Sequence, residues 1–110
     1  MIAITGAAGF IGSVMVKKLN LMGIDDLVLV DDFSKAEKES NWKSKKYRSV
    51  IERSNFEFWA KQNFQHVEFV IHIGARTDTS EFNTAVFDDL NLNYSKMIWN
   101  FCTEYEIPMI

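Results

Sequence analysis

Short apolar runs in this chain alternate with longer stretches in which apolar residues recur every three or four positions. The first run, Met1 to Thr5, has the character of a strand and leads straight into Gly6-Ala-Ala-Gly9-Phe-Ile-Gly12. Ile11, Val14, Met15, Leu19 and Met22 then fall on one helical face, which predicts an amphipathic helix packed through those residues. Leu27 to Val30 forms a second strand that ends on Asp31 and Asp32, and Tyr47 to Val50 predicts a short third one. Phe56, Trp59 and Ala60 stand at helical spacing, with Ser54 or Asn55 as candidate cap, so a short helix should cover one sheet face. Val67 to Ile73 is nearly continuous in apolar and β-branched residues, the pattern of a strand buried on both faces, and ends at Gly74-Ala75. From Phe82 onward the period becomes helical again. Leu90, Tyr94, Met97, Ile98, Phe101, Cys102 and Tyr105 line one stripe of a long helix. Pro108 suits the start of a further strand, of which Met109-Ile110 would be the first residues.

Strand and helix thus alternate four times, which predicts an α/β fold: a doubly wound parallel sheet with right-handed crossovers. An open sheet of this kind needs a second half, so residues 1–110 are expected to be the N-terminal part of a longer chain, one incomplete domain. Ligands in such sheets sit beyond the carboxyl ends of the strands. Gly74, Ala75, Arg76 and Thr77 should therefore lie near the glycine-rich bend. Arg76 could hold a phosphate, or simply be solvated.

The glycine spacing has a chemical reading. Gly6 lets the chain turn sharply at the strand end, Gly9 has no Cβ to block a pyrophosphate, and Gly12 lets helix and strand approach closely. The unpaired N–H groups of the first helical turn, around Phe10, Ile11 and Gly12, would face an anion with the positive end of the helix dipole behind them. Asp31, nineteen residues after Gly12, stands where a dinucleotide site places the acid that accepts ribose hydroxyls, with Asp32 beside it. The expectation is a Rossmann-like dinucleotide site. A tight turn with no ligand is the alternative, and a phosphate-binding NTPase loop would need a Gly-Lys-Ser/Thr ending that is absent.

Charge adds one feature. The chain is acidic overall, with net charge −3, yet Lys35 to Arg53 holds seven basic residues against three acidic ones. This basic segment follows the acidic end of the second strand. A nucleic-acid arm would be accompanied by aromatic stacking motifs or a basic helix, so no nucleic acid is expected as partner, and a solvated loop is the plain alternative. Apolar runs are too short for a membrane span, and no basic-then-apolar leader stands at the N-terminus. The single cysteine, Cys102, excludes an internal disulfide and is expected to pack in the core. Two histidines without a Cys/His cluster give no metal-ligand pattern. These features suit a cytoplasmic protein. His72 interrupts an apolar strand and is expected to be hydrogen-bonded within the packing. Asn91 and Asn93 are unfavourable in a helix interior, so one of them is a candidate for another duty.

Thr5-Gly-Ala-Ala-Gly-Phe-Ile-Gly12 resembles the glycine loop of the extended short-chain dehydrogenase/reductases, the NAD-dependent epimerase/dehydratase family, rather than the shorter Gly-x-Gly-x-x-Gly loop of two-domain dehydrogenases. Val70-Ile-His-Ile-Gly-Ala75 resembles the segment of that family that borders the cofactor. Asn91-Leu-Asn-Tyr-Ser95 resembles the helix whose first asparagine contacts the dinucleotide region. Gly74-Ala-Arg-Thr-Asp-Thr-Ser-Glu81, Asn93-Tyr-Ser-Lys96 and Glu104-Tyr-Glu-Ile-Pro108 are similar to the branch that epimerises ADP-heptose, a sugar of lipopolysaccharide biosynthesis. The likeness spans nearly the whole chain and is weakest from Ser40 to Val50.

The resemblance implies a nucleotide-sugar substrate, here ADP-heptose, and NADP as cofactor, with NAD as the alternative; it leaves a homo-oligomer open. Asp31 at the ribose should repel a 2′-phosphate, since two charges about 5 Å apart at an effective dielectric of about 20 repel by roughly 3 kcal/mol. Lys38 and Arg53 match the family positions that supply compensating cations. The family's chemistry also needs a tyrosine paired with a lysine four residues later. Tyr47, Tyr94 and Tyr105 are followed at that spacing by Ile51, Ile98 and Met109, so no catalytic residue is expected within residues 1–110. A dehydratase or reductase of the family, or a non-catalytic dinucleotide-sensing module, would share every residue named so far.

Overall fold

The computed structural model describes residues 1–73 and 84–110, without the side chains of residues 84–91. Among these residues four parallel strands, β1 (Ile2–Thr5), β2 (Leu27–Asp31), β3 (Ser49–Glu52) and β4 (Phe69–His72), stand in the order β3-β2-β1-β4. The connections carry α1 (Phe10–Leu21), a 3₁₀ turn with the short helix α2 (Glu39–Trp42), α3 (Phe56–Asn63) and α4 (Thr84–Glu104). Pro108 to Ile110 run alongside β4: the Val70 amide donates to Pro108 O at 3.0 Å, the Ile110 amide to Val70 O at 3.0 Å and the His72 amide to Ile110 O at 2.9 Å. The expected doubly wound sheet is present, and the segment after Pro108 pairs with β4 through a single parallel bridge, Val70 with Met109, without forming a further strand element.

Successive residues in a strand face opposite sides, and here both sides are buried. Ala3, Val28, Val30 and Val70 pack on one side with Phe56 and Ala60 of α3 and Ile98, Phe101 and Cys102 of α4. Ile4, Leu27, Leu29 and Ile71 pack on the other with Val16 of α1, joined by the partly buried Phe33, Trp42 and Tyr47. Removing the Val, Leu, Ile and Phe side chains among these from water stabilises by about 1.5–3 kcal/mol each. This burial on both sides explains why the strands lack alternation in polarity.

Several elements differ from the sequence expectation. The face of α1 that meets the sheet is Gly12, Ser13 and Val16, with Met15 and Leu19 partly buried, whereas Ile11, Val14 and Met22 are exposed. Contact distance decides this: the helix lies closest where its side chains are smallest, at Gly12. β3 begins at Ser49 rather than Tyr47, because Tyr47 is drawn instead against Trp42, with ring centroids 6.1 Å apart. Neither Ser54 nor Asn55 caps α3 with its side chain; a 3₁₀ turn over Arg53–Asn55 winds directly into the helix. β4 is shorter than Val67–Ile73, although single ladder bonds from Glu68 N to Met1 O and from Ile73 N to Thr5 O extend its pairing at each end. The charged stretch after β2 is not a plain loop, since it includes α2 and is tied down by three aromatic rings. Phe82 and the side chain of Leu90 lie outside the described residues; Tyr94, Met97, Ile98, Phe101 and Cys102 line the packed stripe of α4 as expected, and Tyr105 joins the same core one residue past the helix end.

Candidate functional site

β1 and β2 end side by side, and the chain leaves β1 at Gly6 with φ 72°, a left-handed conformation that favours glycine. The amides of Gly6 and Ala7 both point at the Val30 carbonyl, at 2.8 and 3.3 Å, so the bend folds over the end of β2. The Gly9 amide then closes onto Gly6 O at 3.1 Å, and Gly9 forms the N-cap of α1 without any side-chain cap. Ser13 N–H is the amide that bonds back to Gly9 O, at 2.9 Å. The amides of Phe10, Ile11 and Gly12 therefore form an open first turn, which holds no acidic side chain. The side chains of Phe10 and Ile11 stand in solvent, 82% and 67% exposed, so what these positions offer an anion is main chain.

The glycines divide into two kinds. A Cβ at Gly12 would stand 2.0 Å from Gly6 O and 2.9 Å from the Ala7 Cα, so the helix could not lie where it does with any side chain there. A Cβ at Gly9 would meet nothing nearer than Gly6 O at 3.4 Å, an ordinary contact. The protein's own packing explains Gly12 but does not explain Gly9. A bare position in front of a helix N-terminus fits a group that approaches from outside, which is how a pyrophosphate would sit.

Asp31, at the end of β2, reaches this bend. Its Oδ2 accepts the Ala8 amide at 2.9 Å and its Oδ1 accepts the Asp32 amide at 2.6 Å. Asp32 closes a turn by accepting both the amide and the hydroxyl of Ser34, at 3.0 and 2.6 Å. Those two bonds, the Ser34 hydroxyl first, hold the Asp32 carboxyl below its ordinary range, helped by the nearby charges of Lys35 and Lys38. Lys38 ends the 3₁₀ turn that follows, within electrostatic reach of Asp32. Glu52, paired in register with Asp31, accepts the Phe33 amide at 3.0 Å.

Arg53 follows β3 and lies over the ring of Tyr94, 4.1 Å from its centroid, while the Tyr94 hydroxyl donates to the Arg53 carbonyl at 3.2 Å. Burial pushes the Tyr94 hydroxyl up to about 12, against the opposing pull of Arg53. His72 is hydrogen-bonded on both nitrogens, Nδ1 with Thr5 Oγ1 at 2.6 Å and Nε2 with Ser95 Oγ at 2.8 Å. Burial, then the charge of Arg53, pulls its pKa below the ordinary value. The expected packing role for this histidine is what its geometry supports.

Gly6, Gly9, Phe10, Ile11, Gly12, Asp31, Asp32, Lys38 and Arg53 are thus gathered at the carboxyl ends of the strands, though Arg53 is engaged with Tyr94. Gly74, Ala75, Arg76 and Thr77 lie outside the described residues, as does the side chain of Asn91. Asn93 is exposed. Asn41, whose Nδ2 donates to the Ala8 carbonyl at 2.9 Å, had no sequence signal strong enough to find it, and the sequence singled out His72 but not Thr5 and Ser95 as the partners through which His72 ties β1, β4 and α4 together. Among the described residues no helix is long and apolar enough to cross a membrane.

An ADP-L-glycero-D-manno-heptose-6-epimerase of Fusobacterium nucleatum is 42% identical over 112 residues, covering 100% of this chain and 34% of that protein. The enzyme of the same name from Brachyspira hyodysenteriae is 38% identical, covering 99% of this chain and 35% of its own length. This chain therefore spans about a third of the length of the relatives it matches. The solved structure of the Helicobacter pylori ADP-L-glycero-D-manno-heptose-6-epimerase superposes with a TM-score of 0.73 over 98% of this chain and 37% of that one, at 18% identity, a likeness of fold. The model of the NAD dependent epimerase/dehydratase family matches residues 2–109. With that match running through the glycine bend, the Asp31 carboxylate and all four strands, the chain belongs to the NAD dependent epimerase/dehydratase family.

Proposed function

We propose that residues 1–110 are the cofactor-binding part of a nucleotide-sugar epimerase that inverts C6 of ADP-heptose with NADP. The observation that carries this reading is the bare Gly9 in front of the open first turn of α1. The amides of Phe10, Ile11 and Gly12 would bind the pyrophosphate, and Asp31 and Asp32 would face the adenosine ribose. When bound, the dinucleotide supplies a reversible hydride acceptor, so that C6 can be oxidised and then reduced from its other face. The residues of this chain bind and orient it. Gly74, Ala75, Arg76, Thr77 and Asn91 complete the proposed cofactor contacts, and the sugar is held and deprotonated by residues beyond this chain.

The choice of NADP comes from the family resemblance, and the charge pattern bears on it. Asp31 disfavours a 2′-phosphate, while Lys38 and Arg53 favour one, and the segment that bears them is basic. Arg53 sits over the Tyr94 ring through its charge, 4.1 Å from the centroid, and a cation–π contact of this kind does not by itself consume the N–H donors that phosphate recognition would use. NAD is the competing cofactor, since Asp31 favours it.

Two measurements on the full-length protein test the reading. Incubation with ADP-D-glycero-D-manno-heptose should yield the C6 epimer, followed by NMR of the sugar; unchanged substrate would exclude this activity. Affinity for NADP and NAD, compared before and after Lys38→Ala, should show the NADP preference falling about tenfold, and an unchanged ratio would eliminate the phosphate contact.

A further inference from the structure

Ala8 sits fully buried at the crest of the glycine bend, and side chains from two different elements grip its main chain. Its N–H is held by Asp31 from the end of β2, and its C=O accepts the Asn41 Nδ2 at 2.9 Å. Asn41 belongs to α2, thirty-three residues downstream in the basic segment.

That helix is itself anchored. Trp42 meets Phe33 edge-on with ring centroids 4.9 Å apart and Tyr47 at 6.1 Å, and all three pack against the core shared with α1. Further along, Asn20 of α1 accepts the Lys46 amide at 2.9 Å and donates to the Lys46 carbonyl at 3.0 Å. The stretch between Phe33 and Tyr47 is thus docked on the bend at its middle, through Asn41, and on α1 near its end, through Lys46.

The Ala8 carbonyl and the Gly9 amide belong to one rigid peptide plane. A donor fixed on the carbonyl oxygen therefore also sets the direction of Gly9 N–H, which bonds to Gly6 O at 3.1 Å, and with it the N-cap of α1. We infer that Asn41 is a positioning residue for the anion-facing amides: it holds the peptide plane that leads into the first turn of α1, and so supports binding of a dinucleotide pyrophosphate whatever the substituent on the ribose. This rests on the dinucleotide reading of the bend given above. It differs from the role assigned to Lys38, whose effect should depend on the 2′-phosphate.

The test compares Asn41→Ala and Asn41→Asp with the unmodified full-length protein by titration with NAD and with NADP. Asn41→Ala removes the donor without adding charge and should weaken both dinucleotides by the same factor, about fivefold, as expected for one lost hydrogen bond. Asn41→Asp keeps the shape but sets a carboxylate against the Ala8 carbonyl, and should weaken both by about tenfold or more. Lys38→Ala should weaken NADP alone. Affinities of Asn41→Ala and Asn41→Asp within twofold of the unmodified protein for both ligands would overturn the inference, and so would a loss confined to NADP. If the unmodified protein bound neither dinucleotide, the reading of the bend itself would fall, and the role of Asn41 with it.

Discussion

Gly12 and Gly6 are in closer approach than any side chain permits: a methyl group on Gly12 would stand 2.0 Å from the Gly6 carbonyl oxygen and 2.8 Å from its carbon. Both neighbours are main chain, so neither can turn aside. Gly12→Ala must therefore push α1 away from the end of β1, at a cost of about 3 kcal/mol or more. Urea unfolding should show a lower midpoint at an unchanged slope.

Gly9→Ala should behave in the opposite way. Its φ of −75° and ψ of 174° suit any residue, and a methyl group would find only ordinary contact. Alanine is the poorer N-cap, so stability should fall by only about 1 kcal/mol, well short of the cost at Gly12. Dinucleotide affinity should nevertheless fall at least about tenfold, because the methyl group would occupy the approach to the helix N-terminus. Unchanged affinity in a titration would remove Gly9 from the site.

Asp31→Asn tests how far the acid at the end of β2 serves the fold before it serves a ligand. Both carboxylate oxygens accept main-chain amides, and an asparagine offers one acceptor where two are needed. An amide left facing an NH₂ group should cost about 1–3 kcal/mol in the absence of any ligand. Asp31→Asn and Asn41→Ala both loosen Ala8, so in a double-mutant cycle their costs should fail to add.

His72 gives a pH dependence with a definite sign. Its folded pKa lies below the ordinary 6.5, through burial first and the Arg53 charge second. The unfolded chain thus takes up a proton that the fold resists, so the contribution of His72 is complete above about pH 6.5 and is lost as pH falls through the folded pKa. Comparison with His72→Gln isolates this from the carboxylates. The stability difference between the two proteins should be largest near pH 8 and shrink steadily toward pH 5. A difference independent of pH would show that the imidazole is not buried in its neutral form.

The strands, the glycine bend and Asp31 were legible in the sequence because each leaves a signature within a few residues: an apolar run, a glycine spacing, an acid at a strand end. The packing face of α1 was not. Ile11 and Val14 outweigh Gly12 and Ser13 in hydropathy, but contact between helix and sheet here depends on how small the facing residues are. Phe33, Trp42 and Tyr47 follow no period, so their cluster could not be read as a core, although aromatic residues within a charged stretch were themselves a hint of anchoring. Asn41 acts by one bond and Asn20 by a pair of bonds to distant main-chain groups, which leave no pattern along the chain at all.

Cys102 is the chain's one thiol, lies 4% exposed between α4 and the sheet, and is pushed by burial toward its protonated, unreactive form. A thiol-directed dye can therefore reach it only when α4 lifts away. Its labelling rate becomes a stopwatch for that opening, a native reporter of breathing on the side of the sheet remote from the glycine bend.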